Sequence, residues 1–342
     1  MGAERPRIAR AASIVLPDPT GSPSVAAHLE HRPLGRTGMS VSALGFGTVE
    51  LGRDYGLPAP GEFEQPSESV AVALLRLAAR RGVDFYDTAP GYGTAERLLG
   101  TALGGEPGRV IATKVPVTKD AAGRNLHGSE LRRDLERSIG ESRRALERQT
   151  LDLVQIHSAT LKVIVEGEIA DVLLDARGRG EVRAIGVTVY SEAEALAAID
   201  AGCFDTLQVA CNLLDRRMVD RVIPAAVQAG VAIIVRSAFL KGALTPKARF
   251  LPPDLAELRR AADAVRQALG VSWEQLPVVA LRYCLFLPGV TTVIVGLRSS
   301  DELATALAAV EAGPLPDTAL RRTAAFAITN ERLVDPSRWD VP

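Results

Sequence analysis

A closed parallel (β/α)8 barrel, the TIM-barrel architecture, is the fold class the sequence predicts, and two observations predict it. Eight short apolar strands alternate with helical patterns from about Ala43 to Ala312, and no strand runs into the Gly-x-Gly-x-x-Gly turn that opens a dinucleotide-binding open sheet. With 342 residues and 47% hydrophobic content, the chain has enough apolar material for one large barrel or for two ordinary domains. The order and number of the strands favour the barrel, with an N-terminal hairpin and extra helices near the C-terminus.

Each element has its own warrant. Residues 1–31, rich in Ala, Pro, Ser and Arg without a sustained period, read as a tail. A small hairpin from Arg32 turns at Thr37-Gly38, and the first barrel strand runs from Ala43 to Gly47. A Gly/Pro-rich loop follows, and Ser67 as a cap with Glu68 in the first turn opens a helix reaching Ala79. Strand two is the stretch ending at Asp87. It is followed by a helix over Ala95 to Leu103, a strand ending at Lys114, a charged helix from Ser129 to Glu147 and a strand ending at His157. The second half repeats the alternation. Its helices cover Lys162 to Arg177, Ser191 to Ala201 and Arg216 to Ala229, and its strands cover Val182 to Val187, Asp205 to Ala210 and Val231 to Arg236. An excursion over 241–287 carries helices at Asp254 to Leu269 and Trp273 to Phe286. The last strand is Thr291 to Val295, the closing helix Ser300 to Ala312, and a further helical segment Asp317 to Asn330. Residues 32–331 thus read as a single barrel, and 332–342 as a polar C-terminal tail.

Composition narrows the function classes. Forty Lys+Arg against 41 Asp+Glu leave a net charge of -1, which offers no global attraction for nucleic acid or an anionic membrane. Three cysteines, Cys203, Cys211 and Cys284, have neither disulfide parity nor metal-ligand spacing. No apolar run reaches the ~20 residues of a membrane span. A cytoplasmic protein acting on a small molecule is the expectation.

The chemistry gathers at strand ends. On alternating geometry Val83, Phe85 and Asp87 share a face, so a carboxylate follows core residues at the C-terminal end of strand two, and Tyr92 lies in the Pro/Gly turn beyond it. Strand three ends on Lys114 and strand four on His157, so Asp87, Tyr92, Lys114 and His157 converge on one barrel rim. A phenol near pH ~10 is a poor acid at neutrality, and a nearby cation favours its ionised form. A desolvated lysine in turn needs a carboxylate to stay charged.

An ordered set of motifs carries a resemblance over Arg32 to about Ala312. Leu44-Gly45-Phe46-Gly47-Thr48, Asp87-Thr88-Ala89-x-x-Tyr92-Gly93-x-x-Glu96, Thr113-Lys114, Gln155-Ile156-His157, Gly186-Val187-Thr188, Gln208-x-x-x-Asn212 and Val295-Gly296 stand in order and at spacings similar to those of the aldo-keto reductases. The chain resembles that family. The resemblance implies a barrel that binds an extended nicotinamide dinucleotide and reduces carbonyls to alcohols. It implies Tyr92 as proton donor, Lys114 as the ammonium lowering the phenol's pKa, Asp87 as its counter-ion and His157 as a further hydrogen-bonding partner. It places Gly47, Thr48, Thr188, Gln208, Arg236, Ser237, Phe239, Gly296, Arg298 and Glu302 about the cofactor, with Arg236 stacking on the nicotinamide.

Departures from the family pattern sit on the cofactor side. Thr188-Val189 replaces the common Ser-Asn, Thr305-Ala306 replaces a Glu-Asn pair, and Glu302 stands where a basic residue often holds the 2′-phosphate. The resemblance implies NADP(H) as the favoured cofactor, with Arg298 and Lys241 as its positive groups, and NAD(H) is the alternative that Glu302 supports. Tyr55, Phe63 and Trp339 are candidate substrate walls. Arg236-Ser237-Ala238-Phe239-Leu240-Lys241-Gly242 resembles a bacterial branch associated with sugars. Two other readings stand beside the reductase: a dinucleotide-binding sensor or partner subunit, and a lysine that forms Schiff bases.

Overall fold

The computed structural model describes Ile14, residues 29–60 and residues 63–341. The expected tail over 1–31 lies outside the described residues except at Ile14 and 29–31. Strands β1 (His31–Pro33) and β2 (Ser40–Ser42) pair antiparallel as the predicted hairpin. Eight parallel strands then close on themselves: β3 (Leu44–Gly47), β4 (Phe85–Asp87), β5 (Val110–Val115), β6 (Leu151–Ile156), β7 (Val182–Thr188), β8 (Thr206–Ala210), β9 (Ala232–Arg236) and β10 (Val290–Gly296). β10 pairs with both β9 and β3, so the sheet has no edge.

Two apolar layers hold it together. Strand residues facing outward pack against the helices in the large core, with Leu74 and Leu75 on the helix Glu68–Arg80 and Leu98 and Leu99 on the helix Ala95–Leu103. Inside the barrel, Phe85, Ala112, Leu153, Ala184, Ile234 and Ile294 form a second core, which the hairpin residues Leu34, Met39 and Val41 close from below. The hairpin is seated by two buried carboxylates. Asp84 accepts the Ser42 N–H at 2.6 Å and lies 2.8 Å from His31 Nε2. Asp205 accepts from Arg36 Nε and Arg177 Nη1, each at 3.1 Å, and from the Ile185 N–H at 3.0 Å. The N-terminal end is thereby plugged, and the C-terminal end is left to carry polar groups.

Several boundaries differ from the sequence reading, each for a local reason. The helix expected over Lys162 to Arg177 is two, Leu161–Glu166 and Glu168–Gly178, because Gly167 adopts φ 74° and caps the first. Only Val222–Gln228 of Arg216 to Ala229 is α-helical, with Pro224 in the first turn, where its missing N–H costs nothing. The segment after Asp317 leaves the helix at Ala324, and the Ile328 N–H donates to Leu214 O instead. Ser67 occupies the cap position without capping, its hydroxyl meeting that of Ser69. The terminal segment read as polar forms a short helix, Glu331–Val334, and a 3-10 turn that bury Leu333, Val334 and Trp339.

Removing the Asp84 carboxylate leaves the Ser42 N–H without its buried acceptor. Asp84→Ala is therefore expected to cost ~1–3 kcal/mol, read as a lower urea midpoint at unchanged slope.

Candidate active site

The pleat of β4 carries Phe85 in the inner core and Asp87 one repeat further along the same face, at the end where the apolar filling stops. Asp87 is 2% and Lys114 1% exposed. Lys114 Nζ donates to Asp87 Oδ2 at 2.7 Å and to Thr88 O at 2.9 Å. The other carboxylate oxygen accepts from Gln208 Nε2 at 2.8 Å and Gln155 Nε2 at 3.2 Å. An isolated charge at this depth would neutralise itself. Here both charges are paired, and side-chain amides on β6 and β8 occupy the remaining oxygen. Burial works to discharge Lys114, but the Asp87 carboxylate and the Tyr92 phenol together hold its pKa above the ordinary lysine value.

Tyr92 sits in the turn after β4, with the Lys114 ammonium 4.8 Å from its ring centroid and the His157 ring edge-on at 5.8 Å. Two glycines position this turn. A Cβ on Gly52 would lie 1.9 Å from Tyr92 O, and one on Gly93, at φ 60°, would lie 2.1 Å from Gly52 O. The two backbones can meet only because neither residue has a side chain. Burial raises the Tyr92 pKa, and Lys114 pulls it down by less than burial adds. The lowering expected of Lys114 is present, and desolvation outweighs it. Burial, then the Lys114 charge, lowers His157 to about 4, so its imidazole is neutral near pH ~7. Glu96 of the same motif lies away from the cleft, accepting the Thr113 hydroxyl at 2.6 Å and tying its helix to β5.

A cleft of about 520 Å³ opens above these groups, within the range of small-molecule sites. Asp87, Tyr92 and His157 line it, together with Gly47, Thr48, Thr188, Gln208, Arg236, Ser237, Phe239, Gly296 and Glu302. Arg298 does not. Its Nε points to Glu50 at 3.8 Å, its Nη1 lies 3.4 Å from Glu64 O, and its backbone N–H is taken by Glu302 Oε2 at 2.6 Å. Lys241 lines the cleft but donates to Val341 O at 2.6 Å. Arg236 stacks on Tyr190, with Cζ 4.3 Å from the ring centroid, and donates to Val189 O and Ser237 Oγ. Of the expected substrate walls, Tyr55 lines the cleft, while Phe63 and Trp339 are not among its lining residues.

The sequence model of the Aldo/keto reductase family matches residues 43–328. The chain belongs to the aldo-keto reductase family. It is 30% identical over 303 residues to L-galactose dehydrogenase of Arabidopsis thaliana, covering 82% of this chain and 88% of that one. Against pyridoxal 4-dehydrogenase of Microbacterium luteolum the identity is 28% over 319 residues, covering 80% and 91%. An aldo-keto reductase of Bacillus halodurans, solved in a holo form, superposes with a TM-score of 0.72 at 24% identity, covering 91% of this chain and all of that one. That likeness supports the barrel fold.

Nicotinamide cofactors are general to aldo-keto reductases, and the residues of this member fit one. Thr188 accepts the Ser158 N–H at 2.7 Å, which leaves its own hydroxyl proton available. Gln208 commits its amide nitrogen to Asp87 and keeps its oxygen as an acceptor. Further along the cleft lie Arg236, Lys241 and Lys247, cations suited to phosphates. Ser237, Leu240 and Lys241 hold positive φ between these groups, and Asn212 Nδ2 anchors the bend by donating to Ser237 O at 3.1 Å.

Sequence reasoning gave no role to Gln155, Tyr190 or Glu50. Gln155 stands in the motif ending at His157, two residues before it on the same strand face, and that spacing was its signal. Tyr190 and Glu50 had none, since each becomes a wall only through tertiary packing.

The buried pair makes a stability prediction. Lys114→Met, which leaves the Asp87 carboxylate unpaired, should cost ~3–5 kcal/mol. Adding Asp87→Asn should return part of that loss, so that a double-mutant cycle shows strong coupling, read by chemical denaturation.

Proposed function

We propose that the chain reduces the carbonyl group of a small aldehyde, ketone or keto-sugar to an alcohol, with Tyr92 as the proton donor. The observation that carries this is the buried ammonium of Lys114 set against a phenol at the floor of an open cleft. When bound, a nicotinamide dinucleotide supplies the hydride. The rest of the chemistry falls to side chains.

A proton donor must hold its proton until the carbonyl oxygen gains charge, and the raised pKa of Tyr92 keeps the phenol intact at neutral pH. Transfer turns Tyr92 into a phenolate, and the ammonium beside it stabilises that charge. Asp87 keeps Lys114 charged throughout, while Gln155 and Gln208 hold the carboxylate in register. Neutral His157 offers a hydrogen bond to the carbonyl rather than a second acid. The same arrangement speaks against the Schiff-base reading, because an amine held as an ammonium is no nucleophile.

On cofactor choice, the lean to NADP(H) came from the family resemblance, with Arg298 and Lys241 as the positive groups, and both are engaged elsewhere, by Glu50 with Glu64 O and by Val341 O. Glu302 lines the cleft as a carboxylate. We read this wall as binding NAD(H) at least as tightly as NADP(H). A sugar-like substrate is in keeping with the resemblance of residues 236–242 and with the name of the plant relative. A small-molecule partner, in keeping with the near-zero net charge, and a cytoplasmic location, in keeping with an odd number of cysteines without paired spacing, complete the proposal.

Tyr92→Phe should lower kcat ~10²- to 10⁴-fold while leaving dinucleotide affinity nearly unchanged, measured at matched cofactor saturation. Undiminished kcat would assign the proton to another group. A wild type that binds dinucleotide yet reduces nothing across a broad carbonyl screen would favour the sensor reading. Separately, Kd values for NAD+ and NADP+ should favour NAD+ or be equal, and Glu302→Arg should shift the ratio toward NADP+.

A further inference from the structure

The groove wall beside the Tyr92 turn carries a carboxylate that neither the motifs nor the proposed chemistry uses. Glu50 belongs to the short helix Val49–Gly52, which Gly52 presses against the Tyr92 turn. Its side chain reaches the mouth of β10. A Cβ built on Gly296 would lie 2.8 Å from both Glu50 Cδ and Oε1, so the carboxylate rests on the glycine's bare α-carbon. Gly296 pairs in register with Gly47, and Glu50 lines the cleft beside both. The side-chain-free backbone at Gly296 is therefore covered by an acid.

The groups facing that acid give it one long ion pair and no hydrogen bond. Arg298, from the loop after β10, approaches only to 3.8 Å. Glu302, on the helix Ser300–Glu311, adds like charge, and its own carboxylate is committed to the Arg298 N–H. Lys247, from the 3-10 turn Pro246–Phe250, contributes attraction through space, and Tyr55 presents a phenol from the loop after the short helix. Among the described residues, Glu50 accepts no hydrogen bond. Burial first, and then the charge of Glu302, raises its pKa to about 7 against the opposing pull of Arg298 and Lys247.

Resting on the reading that this cleft binds a dinucleotide, we propose that Glu50 couples binding of the cofactor's phosphates to uptake of one proton from solvent. A phosphate drawn to the backbone at Gly296 meets the Glu50 carboxylate at close range. Either the carboxylate repels it, or the carboxylate takes a proton and becomes a neutral donor able to hydrogen-bond a phosphate oxygen. No bond other than the new O–H forms or breaks. The sign follows from linkage: an anion alongside raises the Glu50 pKa further in the complex. Well below pH ~7 the group is already neutral in the free protein, and affinity is independent of pH. Above pH ~7 affinity falls, by up to ~10-fold per pH unit, until the pKa in the complex is passed. Glu50 would thus tune the affinity of the dinucleotide to pH across the neutral range.

The test is calorimetric titration of the full chain with NAD+, whose pyrophosphate does not titrate in this range. It is run from pH ~6 to ~9 in two buffers of different ionisation enthalpy, so that proton uptake is measured directly. Wild type should take up a proton on binding near pH ~8 and weaken with rising pH. Glu50→Gln should bind more tightly than wild type there, with less uptake and a flatter profile. Lys241, which lines the cleft with its pKa lowered by burial to about 8, contributes uptake common to both proteins, so the difference between them isolates Glu50. Glu302→Gln, which removes the like charge, should move the wild-type uptake midpoint to lower pH and provides the test if Glu50→Gln does not fold. Equal proton counts and parallel profiles in wild type and Glu50→Gln, or an unmoved midpoint in Glu302→Gln, would overturn the inference and leave the reductase reading standing. Wild type that binds neither NAD+ nor NADP+ at any pH would overturn both.

Discussion

The Lys114–Asp87 ion pair is the constraint from which the site follows. A lysine and an aspartate, each almost wholly buried, share a 2.7 Å contact at the level where the inner barrel core stops. Two charges at such depth are tolerated only if every remaining lone pair and proton is met. That requirement explains the glutamines on β6 and β8, whose amide nitrogens both converge on Asp87 Oδ1. It also explains why the apolar filling ends where it does. Below the pair, Phe85, Leu153 and Ile234 fill the barrel, and above it the walls are polar. The plugged end supplies rigidity and the open end supplies chemistry, a division that strand alternation in a barrel makes available.

Around that fixed point the rest of the cleft is built by close backbone approaches and bent loops. The Tyr92 turn is placed by the close Gly52–Gly93 approach and by backbone bonds from the Tyr92 N–H to Ala89 O and from the Thr94 N–H to Gly52 O. On the far side, the positive φ of Ser237, Leu240, Lys241 and Gly242 bends the segment after β9 along the cleft, held by Asn212. Conformations of this kind cost ~1–3 kcal/mol each and persist where the surroundings over-determine them. The cations of this wall are mostly engaged: Arg236 stacks on Tyr190, Lys241 is tied to Val341 O, and Arg298 is turned to Glu50. Glu50 and Glu302 therefore weigh more heavily on an incoming anion than the residue count suggests. Cofactor preference and its dependence on pH are, in this account, two readings of one electrostatic arrangement.

Much of this was legible in the sequence, for identifiable reasons. The strands were, because each is a short apolar run bounded by turn residues. The catalytic candidates were too, because a charged or ionisable residue at the end of such a run has few places to go but the rim. What escaped depended on tertiary detail. Gly167 split a helix whose apolar periodicity continues across it, and the helix expected from Arg216 begins only at Val222, so that Pro224 sits in its first turn. Glu96 shares a motif with Asp87 and Tyr92, and its partner Thr113 shows it to be a brace between helix and strand. Arg298 stands at the spacing of a phosphate ligand, but spacing does not say which way a long side chain turns. Lys114 lowers the Tyr92 pKa as the sequence suggests, but how far desolvation offsets it depends on burial that a sequence does not show.

The central claim is that Lys114 remains an ammonium in a site that also holds a protonated phenol. The chain's five lysines make this directly measurable by side-chain NMR on lysine-labelled protein, with Lys114→Met to assign the signal. The account predicts that the Lys114 signal stays that of a charged ammonium from pH ~6 up to the ordinary lysine pKa of ~10.4 and titrates only above it. A Lys114 resonance that loses its proton near neutrality would contradict the account. It would mean that Asp87 does not hold the charge, and that the amine is free to act as a nucleophile.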